Sequence, residues 1–222
     1  MCGRYSLDDV DKFAERFAIA DLDVADLKPR YNIAPSQTMP VIVNDGKHTV
    51  TPMRWGLIPS WAKDASIGYK MINARAESVA EKPSFKTLLQ LQRCLIPASG
   101  FYEWKRVGTE KQPYYFHLRQ ERLFAFAGLY SLWHDREGKA VKSYTILTTT
   151  PNRLVARVHD RMPVILKKEA EAAWLNPDTV EPEKVLPLLT PYPEVQMESY
   201  PVSSQVNSPT NDTKAVLQRL SV

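Results

Sequence analysis

Residues 94–149 read CLIPASGFYEWKRVGTEKQPYYFHLRQERLFAFAGLYSLWHDREGKAVKSYTILTT. Runs rich in β-branched and aromatic residues alternate there with turn-forming residues. The runs Cys94–Ile96, Phe101–Lys105, Tyr114–Leu118, Leu123–Leu132 and Ser143–Thr149 read as strands. Between them, Gly108–Lys111, Arg119–Arg122 and Asp135–Lys139 read as turns. This spacing predicts an antiparallel meander closing toward a barrel. Upstream, Met39–Val43 and Thr49–Trp55 flank Asn44-Asp45-Gly46, a tight-turn signal that predicts a hairpin. A further strand is expected near Val195–Tyr200.

Helices are few. Val10, Phe13, Ala14 and Phe17 fall at i, i+3, i+4 and i+7, which predicts a helix over Asp8–Ala18 capped by Ser6 or Asp8. Helical patterns also cover Ser84–Leu91 and Lys168–Leu175, with a weaker one at Glu181–Leu189. The expected class is α+β: a single domain over residues 1–222, with a mostly antiparallel β-barrel-like sheet flanked by a few helices.

Composition narrows the function classes. In a chain of 222 residues, 44% hydrophobic and 24% charged residues are ordinary globular values and argue against disorder or coiled coil. Leu123–Trp133, the longest largely apolar run, is too short to span a bilayer, and no secretory signal opens the chain. A soluble, cytoplasmic protein with no membrane partner is expected. Seventeen prolines against eight glycines suggest many stiff loops. A net charge of +4 permits an anionic partner without requiring one. Cys2 and Cys94 are expected as free thiols, too far apart in sequence for a zinc motif, and no histidine pair has ligand spacing. Neither a metal nor another cofactor is expected.

Four polar residues could carry chemistry. Removal of Met1 would give Cys2 an α-amine and a thiol on adjacent carbons. Such a 1,2-aminothiol condenses with an aldehyde to an imine, and the thiol then closes a five-membered thiazolidine at high effective molarity. The bland alternative is an incidental second residue. Asn73, within MINARAE at 71–77, would share one face of an extended segment with Arg75 and Glu77, or simply belong to a solvated row with an Arg75–Glu77 pair. Glu103 lies among Phe101, Tyr102 and Trp104, where desolvation would suit it to proton transfer; alternatively it is an exposed strand carboxylate. His159, beside Asp160 and Arg161, is either a proton carrier or a structural histidine. Pro35 and Trp61 stand on proline-stiffened loops that could block or replace base stacking; core packing is the competing reading.

Taken in order, MCGRY at 1–5, RYNIAP at 30–35, WGLIPSW at 55–61, INARAE at 72–77, GFYEW at 100–104 and HDRMP at 159–163 resemble the SOS-response-associated peptidase family. Its members are abasic-site processing proteins acting on single-stranded DNA. The resemblance implies a β-barrel-like α+β domain and a partner in single-stranded DNA that contains an abasic site. It implies that Cys2, freed of Met1, joins covalently to the ring-opened sugar aldehyde, with Asn73, Glu103 and His159 as the polar site groups. It further implies that Arg4, Arg75 and Arg161 hold phosphates and that Trp61 and Pro35 flank the lesion. A lyase side activity, self-removal of Met1, a nucleoid association when bound to DNA and a monomeric state belong to the same expectation. Two other classes stay open: an N-terminal-nucleophile peptidase or amidohydrolase using the same Cys2, and a non-catalytic single-strand-binding module.

Overall fold

Strand alternation and turn chemistry set the frame of the protein. The computed structural model describes residues 2–20 and 27–220. Met1, whose removal the family resemblance implies, lies outside the described residues. Among the described residues, twelve strands and four α-helices run in the order β1 (Tyr5–Leu7), α1 (Phe13–Phe17), β2 (Arg30–Ile33), β3 (Thr38–Asn44), β4 (His48–Trp55), β5 (Asn73–Arg75), α2 (Pro83–Leu91), β6 (Arg93–Ala98), β7 (Gly100–Val107), β8 (Glu110–Leu118), β9 (Phe124–His134), β10 (Ala140–Thr149), β11 (Met162–Pro163), α3 (Lys168–Leu175), α4 (Pro182–Val185) and β12 (Met197–Pro201).

The predicted meander is divided between two sheets. Strands β7 and β8 form a hairpin in a five-stranded sheet of order β12-β8-β7-β1-β2. Strands β6, β9 and β10 lie in the other sheet, of order β11-β10-β4-β3-β6-β9, where an added β9–β10 pairing closes β10-β4-β3-β6-β9 into a barrel. Pairing is mostly antiparallel; β10 runs parallel only to β4 and β5. The class is therefore α+β with a barrel-like core. Among the described residues no helix is long and apolar enough to cross a membrane.

Strand β1 joins the two sheets. Its neighbours are β2 and β7, with Tyr5 opposite both Ile33 and Phe101. The Tyr5 ring packs edge-on against Trp55 at 5.2 Å and Phe126 at 5.9 Å. Its hydroxyl lies 2.8 Å from that of Tyr144. The start of the chain is thus pinned in the core. Three residues upstream of Tyr5, the thiol of Cys2 is fully buried, and both Cys2 and Cys94 are free.

The first helix is shorter than the apolar stripe predicts. Ser99 Oγ accepts from the Asp8 and Asp9 amides, and the Asp8 carboxylate faces Arg122. The proposed cap is therefore occupied by tertiary bonds, and α1 begins only at Phe13. The weak pattern at 181–189 resolves into α4 followed by a 3-10 turn at Leu186–Leu188.

A close backbone approach fixes the loop between β4 and β5. Gly56 has φ +117°, and a Cβ there would stand 2.6 Å from the Gly68 carbonyl oxygen. Gly56→Ala meets both a strained backbone and a backbone clash that no rotamer relieves. It should cost about 3 kcal/mol, lowering Tm by roughly 6–12 °C. A thermal melt within two degrees of the parent would refute this.

Candidate active site

Topology brings the four polar residues together. Because Tyr5 pairs with Phe101 in antiparallel register, the chain ahead of β1 runs back along Tyr102–Trp104, and the Tyr102 amide donates to the Arg4 carbonyl at 3.0 Å. On the other side, the end of β10 is flanked by β5, which carries Asn73, and by β11, which follows His159. Asn73 Nδ2 donates to the Cys2 carbonyl at 2.8 Å. Asn73 Oδ1 is buried and accepts no hydrogen bond among the described residues. His159 Nε2 lies 3.9 Å from Glu103 Oε2. Glu103, His159, Trp104, Lys111 and Asn207 line an open cleft of about 390 Å³.

Burial sets the electrostatics. Glu103 is only 2% exposed, and desolvation raises its carboxyl from 4.5 to about 7, with the charge of Asp160 adding to the rise. Desolvation pulls the His159 imidazole below its ordinary value, partly offset by Asp160. The Cys2 thiol is pushed far above its ordinary value, first by burial and then by the Glu103 charge. Near neutral pH the site therefore holds a thiol, a neutral imidazole and a carboxyl poised between its two protonation states. The Arg161 amide donates to His159 Nδ1 at 3.0 Å, which favours the neutral ring's proton on Nε2, while Asp160 Oδ1, 3.0 Å from the same nitrogen, favours it on Nδ1.

The arginines occupy different situations. Arg161 makes a two-pronged ion pair with Glu77, at 2.7 and 2.9 Å, and a further bond to the Thr148 carbonyl at 2.6 Å. The expected row of Asn73, Arg75 and Glu77 is broken because a 3-10 turn at Ala76–Ser78 follows β5 and turns Glu77 toward Arg161. Arg4 is held by Asn32 Oδ1 at 2.7 Å and the Val206 carbonyl at 2.6 Å, and its guanidinium lies over the Trp104 ring. Arg75 is exposed at the end of β5.

The two loop residues lie outside the hydrogen-bonded cluster. Pro35 sits in a tight turn closed by the Gln37 amide on the Ala34 carbonyl at 3.3 Å, with Ser36 at φ +74°. That is a type II turn with proline at its favoured position. Since β2 pairs with β1, this turn borders the start of the chain. Trp61 is 62% exposed on the loop between β4 and β5.

Sequence reasoning missed the C-terminal clasp behind the site. Asp212 Oδ1 accepts from the Tyr31 and Asn32 amides at 2.6 and 2.8 Å, and its other oxygen pairs with Arg30. Asn32 Nδ2 faces the carbonyls of Val206, Ser208 and Asn211, and Trp104 Nε1 donates to Asn207 Oδ1. The clasp is a run of side chain to backbone bonds without periodicity, so no local pattern reveals it. Among the described residues no group of three or more His, Cys, Asp or Glu side chains could hold a metal ion.

The Glu103 assignment predicts a pH-dependent stability. A raised folded-state value favours folding fully below the ordinary 4.5, and that contribution disappears as pH climbs through about 7. Glu103→Gln stays neutral throughout. Its stability relative to the parent should therefore rise between pH 5 and pH 8, by at most about 3 kcal/mol. Urea titrations at both pH values check this, and a constant difference would contradict it.

Comparisons with known proteins agree with the motif reading. The family described as SOS response associated peptidase (SRAP) matches residues 1–209. The chain is 50% identical to the abasic site processing protein YoqW of Bacillus subtilis (strain 168), over 98% of this chain and 99% of that protein. It is 33% identical to the abasic site processing protein HMCES of Xenopus tropicalis, over 87% of this chain and 67% of that protein. A solved protein from Bacteroides thetaiotaomicron superposes with a TM-score of 0.90 at 30% identity, over 99% of this chain and all of that one.

Proposed function

The chain belongs to the SOS response associated peptidase family, and on that premise we propose that it senses abasic sites in single-stranded DNA and captures them covalently through Cys2. One observation carries the reading: Asn73 holds the Cys2 carbonyl at 2.8 Å, beside a buried carboxyl that titrates near neutrality.

Removal of Met1 frees the α-amine of Cys2. The ring-opened abasic sugar presents an aldehyde, and because its base is already missing, little stacking opposes its entry. The amine adds to the carbonyl carbon, and the oxygen leaves as water to give an imine. The thiol then adds across the C=N bond: sulfur bonds to the carbon, and the proton lost from sulfur ends on nitrogen. Addition of the whole aminothiol to the aldehyde thus releases one water. Glu103, poised between its protonation states, takes protons from the attacking groups and returns one to the departing oxygen. His159 exchanges protons with Glu103. Asn73 Oδ1 supplies an acceptor for the amine or for a sugar hydroxyl.

Phosphate contacts would set the register without reading sequence. Arg75 is exposed for that task; Arg4, held by Asn32 and the Val206 carbonyl, and Arg161, paired with Glu77, share it while also fixing the walls of the site. Trp61 and Pro35 border the strand on either side of the lesion. The imine is also a branch point for β-elimination, which would appear as a lyase side activity, and Met1 removal would be self-processing. One copy, folded as a single domain over residues 1–222 in the cytoplasm, suffices for the reaction.

Intact mass spectrometry tests the proposal. The protein should lack Met1, and incubation with an abasic single-stranded oligonucleotide should add the oligonucleotide mass less one water. A chain that stays unmodified, or that modifies an intact oligonucleotide equally, would reject it.

A further inference from the structure

The path between Glu103 and bulk solvent points to one more participant. Side-chain exposure climbs from 3% at Glu103 through 25% at His159 to 88% at Asp160. The imidazole bridges the two carboxyl groups, with Nε2 at 3.9 Å from Glu103 Oε2 and Nδ1 at 3.0 Å from Asp160 Oδ1. Nδ1 also lies 3.0 Å from the Arg161 amide. One ring nitrogen thus faces both a hydrogen-bond donor and an acceptor, and a single tautomer satisfies only one of them. With the proton on Nε2 alone, Nδ1 accepts from the Arg161 amide. Once the ring carries a proton on Nδ1, that proton faces Asp160.

We propose that Asp160 is a positioning residue that makes His159 a two-ended proton relay between buried Glu103 and solvent. This rests on the covalent-capture reading. The α-ammonium of processed Cys2 must lose one proton before its nitrogen attacks, since its ordinary value is about 7.7–8.0. Glu103 takes that proton. In the tautomer that Asp160 favours, with the ring proton on Nδ1, Nε2 is unprotonated and receives the proton from Glu103. Nδ1 then releases a proton toward Asp160 and water, and the ring returns to its neutral form. One proton leaves the ammonium and one reaches solvent. Glu103 ends unchanged, and the ring ends with its proton on Nε2, where Nδ1 accepts from the Arg161 amide. A trap that reacts once needs no reset. Among the described residues, the charged groups facing His159 are Glu103 from β7 and Lys111 from β8 across the cleft, with Asp160 and Arg161 on its own segment. Asp160 alone among these combines contact with Nδ1 and near-complete exposure.

The test follows adduct formation by processed protein with an abasic single-stranded oligonucleotide from pH 5.5 to 8.5, alongside an NMR titration of the His159 ring. Asp160→Asn should slow capture roughly 3- to 10-fold near pH 7, less than the loss of a group that itself transfers the proton. The deficit should vanish at pH 8.5, where the amine is already neutral, and the His159 midpoint should fall. Asp160→Glu should restore both. An Asp160→Asn protein with the parent's rate–pH profile and an unmoved His159 midpoint overturns the relay and leaves the capture reading intact. Absence of adduct with the parent protein overturns capture itself, and the relay with it.

Discussion

Cys2→Ala is expected to abolish the denaturation-resistant adduct with abasic single-stranded DNA, lowering its yield by more than about 10²-fold. Alanine keeps the α-amine, so the imine still forms. It offers no sulfur to close the ring, and the imine returns to amine and aldehyde in water. The advantage lost is that of an intramolecular step, whose effective concentration no thiol in solution matches. Borohydride, which reduces an imine to a stable amine, should therefore still link the variant to the oligonucleotide. Cys2 is fully buried, yet the change removes only one atom and should cost about 1–2 kcal/mol, so the variant folds. Gel analysis of boiled samples reads the outcome. An undiminished adduct with Cys2→Ala would remove the thiol from the chemistry. A family of N-terminal-nucleophile hydrolases predicts instead peptide turnover by the same Cys2, and a plain binding module predicts DNA binding without preference for a missing base.

The largest expected effect on stability lies far from the site, at Arg93. Its side chain is 6% exposed and donates to four carbonyls: Leu89 and Gln90 at the end of α2, and Trp174 and Asn176 at the end of α3. A cation there also meets the negative ends of both helix dipoles and lies over the Trp174 ring. Burial lowers its proton affinity, but a guanidinium keeps its charge. Arg93→Ala strands these carbonyls in a dry setting and opens a cavity, and should cost about 3–5 kcal/mol. Arg93→Lys has three donors on one atom and cannot span two helix ends, so it should recover only a part. Chemical denaturation measures both, and a loss below 1 kcal/mol for alanine would contradict the assignment.

The β3–β4 hairpin, the β7–β8 hairpin and α3 were legible because each follows from local chemistry. Gly46 and Gly108 supply positive φ at the turns, and the apolar spacing of Lys168–Leu175 suits a helix. Strands β1, β2 and β11 were not legible, since two to four residues carry no periodicity and exist only because partners complete them. The division of the meander between two sheets depends likewise on the β9–β10 closure, a contact invisible to local patterns. The site shows the same limit. Resemblance named Cys2, Asn73, Glu103 and His159, and the fold places them side by side. Sequence displays the charge of Arg4 and Arg161 but not the carbonyls and carboxylates that engage them. Asp212 carries no signal at all in a polar C-terminal stretch, though it fixes two amides of β2.

Strand β1 sits inside its sheet, with β2 on one side and β7 on the other, and among the described residues only Cys2, Gly3 and Arg4 precede Tyr5. The leash is therefore three residues long. If Cys2 captures a damaged sugar as proposed, an affinity tag or reporter fused ahead of the gene product would occupy the doorway that sugar needs, and would convert the α-amine of Cys2 into an ordinary peptide bond. Handles for purification, imaging or tethering belong at the opposite terminus.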